Sequence, residues 1–211
     1  MSYTQINFTL GTIALLFATA AFADESPDEV RQRIGAGDPG VGRFKSMYCQ
    51  TCHGLDGNST TSPNTPKLAG QYAAYIQKEI NNFKDGSRND PVMTAIASTL
   101  FDNQEVLDIA AYFASQKQMK GARTAVNKNG QSLYMGSNGC VSCHGVNGKG
   151  LAPNNPSAPV IGGQHKEYLK KQLRDFKDHA RTNEASGMME MMSSFMSEEA
   201  MDDVTSYVSG L

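Results

Sequence analysis

Two copies of one five-residue motif use every cysteine in the chain. Residues 49–53 are Cys-Gln-Thr-Cys-His, and residues 140–144 are Cys-Val-Ser-Cys-His. In this spacing the two thiols add across the vinyl groups of a porphyrin, and the histidine that follows reaches the iron from the same side. The motifs therefore predict two covalently held haem c groups. The predicted attachment residues are Cys49, Cys52, Cys140 and Cys143, and the predicted proximal iron ligands are His53 and His144.

Cysteine pairs at this spacing also hold zinc or form redox-active dithiols, so both alternatives need weighing. A zinc site that pooled the four cysteines would not explain why a histidine follows each pair directly, nor why Gly54 and Gly145 come next. A thioredoxin-like motif requires a β-α-β pattern nearby, which this sequence lacks. Haem attachment is therefore the favoured interpretation.

The two halves of the chain match well beyond the cysteines. His53 and His144 are 91 residues apart (144 − 53 = 91), and residues 66–71 (PKLAGQ) match residues 159–164 (PVIGGQ). Further equivalent pairs are Tyr75 with Tyr168, Phe83 with Phe176, Arg88 with Arg181, Asp108 with Asp203 and Tyr112 with Tyr207. The 211 residues suffice for two domains of ordinary size. We expect duplicated domains over residues 24–118 and 119–211, joined by a polar linker at 116–125.

Helical periodicity runs through both halves. Apolar residues recur every three or four positions over 72–83 and 106–113, and again over 169–176 and 201–208. Asn103 is the expected N-cap of the second of these helices. No segment alternates apolar and polar residues for long enough to predict a strand. The pattern indicates an all-α fold, with Gly- and Pro-rich loops at 54–66 and 145–163.

The sixth iron ligand must come from methionine in at least the first half. Beyond the motifs only His165 and His179 remain, and both lie in the second half, where we interpret them as surface or loop residues. Met93 is the candidate for the first haem. Aligning residues 93–100 with 189–196 selects Met189 for the second haem, whereas counting back from the C-terminal tyrosine selects Met188.

Arg88 and Arg181 occupy equivalent positions after the long helix of each half. A bidentate contact to a haem propionate is one interpretation of these residues. Solvated surface arginines are the other.

Charge and the N-terminal segment limit the setting in which the chain works. Its 19 basic and 21 acidic residues give a net charge of -2, so nothing suggests nucleic-acid binding. The first 23 residues carry no charge, and an apolar run at 13–22 ends in a small-x-small pattern. This segment predicts either a secretory signal peptide or a retained N-terminal membrane anchor. Both place residues 24–211 in an exported compartment, the periplasm.

The chain resembles the di-haem cytochromes c4 over about residues 28–211. The resemblance rests on the two C-x-x-C-H-G motifs, residues 66–71 and 159–164, the run Arg181-Thr182-Asn183, and the closing residues 206–211. It implies two tandem class I cytochrome c domains related by a pseudo-twofold axis, each enclosing one covalent haem c. It also implies that a prolyl carbonyl near Pro66 or Pro159 accepts the ring N–H of the proximal histidine.

Electron transfer is the function that both the residues and the resemblance predict. Two strong axial ligands leave no position on the iron for a substrate, which argues against an enzyme. The resemblance implies transfer from a quinol:cytochrome c reductase or similar donor to a terminal haem-copper oxidase. The alternatives are a haem-bearing subunit of a larger respiratory complex and a di-haem peroxidase with an open sixth position.

Overall fold

The computed structural model describes residues 26–121, 125–137, 139–150 and 158–211. Within these residues the secondary structure is helical and contains no strand, in agreement with the all-α prediction. The first half contains six helices: α1 (Pro27–Ile34), α2 (Pro39–Lys45), α3 (Met47–His53), α4 (Ala73–Asp85), α5 (Pro91–Ala97) and α6 (Asn103–Ser115).

The described part of the second half repeats this plan with five helices. Its helices are α7 (Lys128–Met135), α8 (Val141–His144), α9 (Lys166–Lys177), α10 (Met188–Ser194) and α11 (Glu198–Ser209). Both halves thus run from a helix that ends at the motif histidine to a long amphipathic helix, a short methionine-bearing helix and a final long helix.

Each domain is built around the crossing of its N-terminal and C-terminal helices. In the first domain α2 meets α6 at Gly42, where a Cβ atom would lie 1.9 Å from the carbonyl oxygen of Asp108. In the second domain α7 meets α11 at Gly130, where a Cβ atom would lie 2.0 Å from the carbonyl oxygen of Asp203. Only glycine permits this approach of two backbones. Because Asp108 and Asp203 are equivalent in the repeat, the crossing was duplicated with the domain.

The apolar faces of the long helices form the two cores. Ile80 and Phe83 of α4 pack with Ile109 and Phe113 of α6 in the first domain. In the second domain a cluster centred on buried Tyr134, Val204 and Val208 takes in partly buried side chains of α9. The helix boundaries follow capping chemistry, and α6 begins one residue earlier than expected. Its N-cap is Asp102, whose carboxylate accepts from the N–H of Gln104.

The segment expected to be a polar linker is packed between the domains over its first part. Met119 is buried with Ala69, Tyr72 and Val160, and its N–H donates to the carbonyl of Ala69 at 3.0 Å. The N–H of Gly121 donates to the carbonyl of Leu211 at 2.8 Å. Residues 122–124 lie outside the described residues. The linker prediction missed that one apolar side chain, Met119, stabilises the interface by burial.

No helix in the described residues is long and apolar enough to cross a bilayer. The predicted signal peptide or anchor, residues 1–23, lies outside the described residues.

Candidate haem-binding sites

The first cysteine motif lies within α3, and the second begins at Cys140, the N-cap residue of α8; both helices end at the motif histidine. Cys49 and Cys140 are half-buried, whereas Cys52 and Cys143 are exposed. The next residues, Gly54 and Gly145, have φ angles of 85° and 72°, a conformation that glycine adopts without strain. The chain therefore turns away directly after the histidine, which keeps the cysteines and the histidine of each motif together.

The first thiol of each motif lacks the lowered pKa that is typical of redox and zinc centres. Burial raises the pKa of Cys49 to about 11, and burial also raises the pKa of Cys140. Redox-active dithiols and metal-binding thiols need the opposite shift. No cluster of three or more potential ligands among His, Cys, Asp and Glu occurs in the part of the chain that the structure describes. The zinc interpretation, which pooled all four cysteines, therefore has no geometric basis.

Each motif histidine is buried and held by a prolyl carbonyl. His53 Nδ1 lies 2.8 Å from the carbonyl oxygen of Pro66, and His144 Nδ1 lies 3.0 Å from that of Pro159. A carbonyl oxygen only accepts, so Nδ1 carries the proton and the lone pair of Nε2 is free. Burial lowers the pKa of both histidines, with the prolyl carbonyls opposing this. Both rings are thus neutral imidazoles, the form that binds iron.

One continuous cavity of about 1370 Å³ receives the side chains of both motifs. Sites for a single small ligand usually measure roughly 300–1,000 Å³, so this space suits more than one large group. All eight predicted haem-binding side chains line it: Cys49, Cys52, His53, Met93, Cys140, Cys143, His144 and Met189. The cavity lining is largely apolar and includes the four thiols and the two neutral imidazoles. This set of groups fits two covalently attached haems.

The first methionine lies on a helix with a well-formed N-terminus. Met93 is in the first turn of α5, and the N-cap carboxylate of Asp90 accepts from the N–H groups of Val92 and Met93, both at 3.1 Å. Met93 is half-buried against the core of the first domain. The cap therefore fixes the turn from which the Met93 side chain enters the cavity.

The second methionine lies in a cluster of methionines on α10. Met188 and Met189 both line the cavity, but Met188 is 43% exposed and Met189 is half-buried. Each short helix is followed by an equivalent turn: Leu100 N–H donates to Ala97 O at 3.1 Å, and Met196 N–H to Ser193 O at 3.0 Å. Both pairs are offset by 96 residues, the same offset that aligns Met93 with Met189.

Arg181 is buried at the domain interface and the Arg88 side chain is only 10% exposed there, so their interpretation as solvated residues is wrong. Arg88 donates to the hydroxyl of Tyr168 at 3.1 Å and to Gln172 Oε1 at 2.8 Å. Arg181 mirrors this, donating to the hydroxyl of Tyr75 at 3.1 Å and to Gln172 at 2.7 Å. Both arginines also form an ion pair with the carboxylate of Glu79. We call these six residues the interface arginine cluster: Arg88, Arg181, Glu79, Gln172, Tyr75 and Tyr168.

Some interface residues were not recognised from the sequence. His165, interpreted as a surface or loop residue, is half-buried, and its Nε2 lies 2.9 Å from the carbonyl oxygen of Ser59 in the first domain. His179 is exposed, as expected. Gln71 and Gln164 are buried and bond across the interface. The sequence signal for these two glutamines is their shared position at the end of both copies of P-x-[LI]-[AG]-G-Q.

Comparison with known proteins agrees with this geometry. The sequence model of the cytochrome c family matches residues 38–117 and again 127–211. Cytochrome c4 of Pseudomonas aeruginosa is 40% identical over 184 residues, covering 83% of this chain and 90% of the relative. A thiosulfate dehydrogenase electron acceptor of Stutzerimonas stutzeri is 30% identical, covering 93% and 91%. The crystal structure of reduced recombinant cytochrome c4 from Pseudomonas stutzeri superposes with a TM-score of 0.75 at 37% identity, covering 83% of this chain and all of that one.

The tandem matches, the two motif sites and the shared cavity all point to one family. The chain belongs to the cytochrome c family and, within it, to the di-haem cytochromes c4, electron-transfer proteins with one covalently bound haem c in each of two tandem domains.

Proposed function

We propose that this di-haem electron-transfer protein carries electrons from a quinol:cytochrome c reductase or similar donor to a terminal haem-copper oxidase. In this proposal His53 and Met93 bind the first iron, and His144 and Met189 bind the second. One observation carries it: in each domain a buried neutral histidine, fixed by a prolyl carbonyl, lines the same cavity as a methionine on a separate short helix.

The protein's own residues are suited to a carrier rather than to an enzyme. When bound, each haem iron supplies a one-electron change of oxidation state. The prolyl carbonyls keep the imidazoles oriented, and apolar residues of the long helices exclude water from the cavity. Met93 and Met189 would hold the irons together with His53 and His144; methionine ligation would raise the reduction potential and leave no position on the iron for a substrate.

Continuity of the cavity across the interface supports a two-step relay. The same space reaches residues of both domains, and the interface arginine cluster borders it. Arg88 and Arg181 together carry two positive charges against the single carboxylate of Glu79, so the cluster retains a positive charge suited to haem propionates. With a haem held in each domain along this shared cavity, an electron would be able to pass from one domain to the other within a single protein.

The periplasm is the proposed location, reached through residues 1–23 as a removed signal peptide or as a retained membrane anchor. The relative named as a thiosulfate dehydrogenase electron acceptor favours a second class of donor, a periplasmic dehydrogenase. Reduction of the oxidised protein by purified quinol:cytochrome c reductase, and separately by thiosulfate with its dehydrogenase, distinguishes the two. We expect the faster reduction with the reductase, and a faster reaction with the dehydrogenase would contradict that donor assignment.

The ligand assignment is tested with three matched methionine variants. Met93→Ala and Met189→Ala should each abolish part of the iron–sulfur absorption band at the red edge of the visible spectrum and lower one of the two midpoint potentials. Met188→Ala is the control, because this neighbour is exposed on the same helix turn. If Met188→Ala lowers a potential and Met189→Ala leaves both unchanged, the second ligand is Met188.

A further inference from the structure

In each domain the loop whose prolyl carbonyl holds the motif histidine, here called the proximal loop, is contacted by one glutamine side chain of the other domain. Gln71 Oε1 accepts from the N–H of Val160 at 2.9 Å, and its Nε2 donates to the carbonyl of Val160 at 2.8 Å. Gln164 Oε1 accepts from the N–H of Lys67 at 2.8 Å, and its Nε2 donates to the carbonyl of Lys67 at 2.8 Å. Both glutamines are only 4% exposed. The two contacts are pseudo-symmetric copies of each other.

These bonds act on the two peptide groups that hold the proximal histidines. The carbonyl of the peptide between Pro159 and Val160 accepts from His144, while the N–H of that same peptide donates to Gln71. The peptide between Pro66 and Lys67 links His53 to Gln164 in the same way. A planar peptide transmits polarisation between its two ends. Each histidine is therefore connected to the opposite domain through one rigid group.

The glutamines are themselves fixed from their own domains. Gln71 Oε1 also accepts from the N–H of Tyr72 at 3.0 Å, at the start of α4, and Gln164 Oε1 accepts from the N–H of His165 at 3.0 Å, at the start of α9. The amide is the side chain that matches one backbone N–H and one backbone carbonyl without adding a charge. The position of each long helix thus sets the contact to the other domain's proximal loop.

We propose that Gln71 and Gln164 are cross-domain positioning residues, each of which lowers the reduction potential of the haem in the opposite domain. By accepting from the peptide N–H, the glutamine makes the prolyl carbonyl a stronger acceptor for the histidine ring. A stronger bond at Nδ1 makes the imidazole a more basic ligand, which favours the oxidised iron. The inference rests on the proposed ligation of the irons by His53 and His144.

The test is the variant Gln71→Met in the full-length holoprotein, which removes both hydrogen bonds with little change in side-chain length. The potential of each haem is followed separately through its methyl proton resonances during a redox titration. Contacts to side chains of each domain, such as Phe113 beside His53, assign the resonances. We expect the second domain's haem to become easier to reduce by about threefold in equilibrium constant, which is roughly 28 mV at 59 mV per factor of ten.

The mirror variant and a control make the result specific. Gln164→Met should raise the potential of the first domain's haem instead. Tyr72→Phe removes a different cross-domain bond, from the Tyr72 hydroxyl to the carbonyl of Lys149, and should leave the difference between the two potentials unchanged. If each glutamine variant shifts its own domain's haem, or both haems equally, the proposal is overturned. Should Gln71→Met lose haem, the milder Gln71→Asn must shift the second haem in the same direction.

A separate variant distinguishes this inference from the proposed function. His144→Ala must change the visible spectrum of the second haem. If it does not, the proposed ligation fails. If it does, and the glutamine variants leave both potentials unchanged, only the cross-domain inference fails.

Discussion

Replacing Glu79 with Gln tests how the two domains are held together. Glu79 is 5% exposed and is the one carboxylate of the interface arginine cluster. Its Oε2 lies 2.6 Å from Arg88 Nη1, and its Oε1 lies 3.2 Å from Arg181 Nη2 and 3.0 Å from Lys78 Nζ. Gln172 is its equivalent in the second domain. The substitution Glu79→Gln therefore leaves two largely buried guanidinium groups that face amide side chains and no carboxylate side chain of the cluster.

The expected cost follows from the burial of these charges. Breaking a buried ion pair by removing one partner costs roughly 3–5 kcal/mol, because the remaining charge has lost its solvent and its partner. The amide oxygen of the variant still accepts one hydrogen bond, so we expect the lower end, about 3 kcal/mol in the free energy of unfolding at pH 7. Asp175→Asn, the same chemical change in the solvent-accessible pair with Lys171, should cost below about 0.5 kcal/mol.

The difference in unfolding free energy between the protein and its Glu79→Gln variant depends on pH with a defined sign. Burial alone would raise the pKa of Glu79, but Arg181, Arg88 and Lys78 outweigh it and hold the pKa below its ordinary value of 4.5. A lowered pKa means that the ionised carboxylate stabilises the folded state fully above pH 4.5 and that this contribution is lost as the pH falls through the folded value. Urea unfolding of the holoprotein and both variants, at pH 7 and below pH 4.5, measures this contribution of the Glu79 carboxylate to stability. Equal losses for Glu79→Gln and Asp175→Asn at pH 7 would refute the reasoning.

Two further predictions concern the helix crossing and the haem attachment. Gly42→Ala forces a Cβ atom to within 1.9 Å of the Asp108 carbonyl oxygen and should lower the free energy of unfolding by about 3 kcal/mol. In the control Gly40→Ala the new Cβ atom meets only a carboxylate oxygen at 3.1 Å, so thermal unfolding should show a far smaller loss. Comparable melting temperatures for both variants would contradict the crossing. Replacing Cys52 or Cys143 with Ser should leave that haem on one thioether or lose it. Haem staining on a denaturing gel detects loss of that haem, and the visible spectrum detects a haem left on one thioether, so unchanged staining together with an unchanged spectrum would contradict the assignment.

The fold was predictable because its strongest signals are local. The repeat offset, the helical periodicity and the two cysteine motifs predicted an all-α fold with two tandem domains. Helix ends were predicted less well, since capping depends on one side chain in competition with its neighbour. Asp102 takes the cap expected of Asn103 because its carboxylate accepts from the N–H of Gln104.

The domain interface was not predictable, because most of its residues acquire their roles from partners more than 40 positions away in the sequence. In the sequence Gln71 is only one end of a repeated motif, whereas in the structure its amide bonds to both backbone groups of Val160. The sequence position of Arg88 is compatible with solvent exposure, whereas in the structure Glu79 and Gln172 bind its guanidinium group. Met119, counted as part of a polar linker, is buried by contacts that come from both domains.

Carbon monoxide binding to the reduced holoprotein tests the central claim most directly. If His53 with Met93 and His144 with Met189 bind the two irons, neither iron would have a free position, and the protein would pass electrons without binding a substrate. A dithionite-reduced sample titrated with carbon monoxide at pH 7 should then show no change in its visible spectrum at either haem. Stoichiometric binding at one haem, in the native protein and without denaturant, would show an open sixth position and contradict the account.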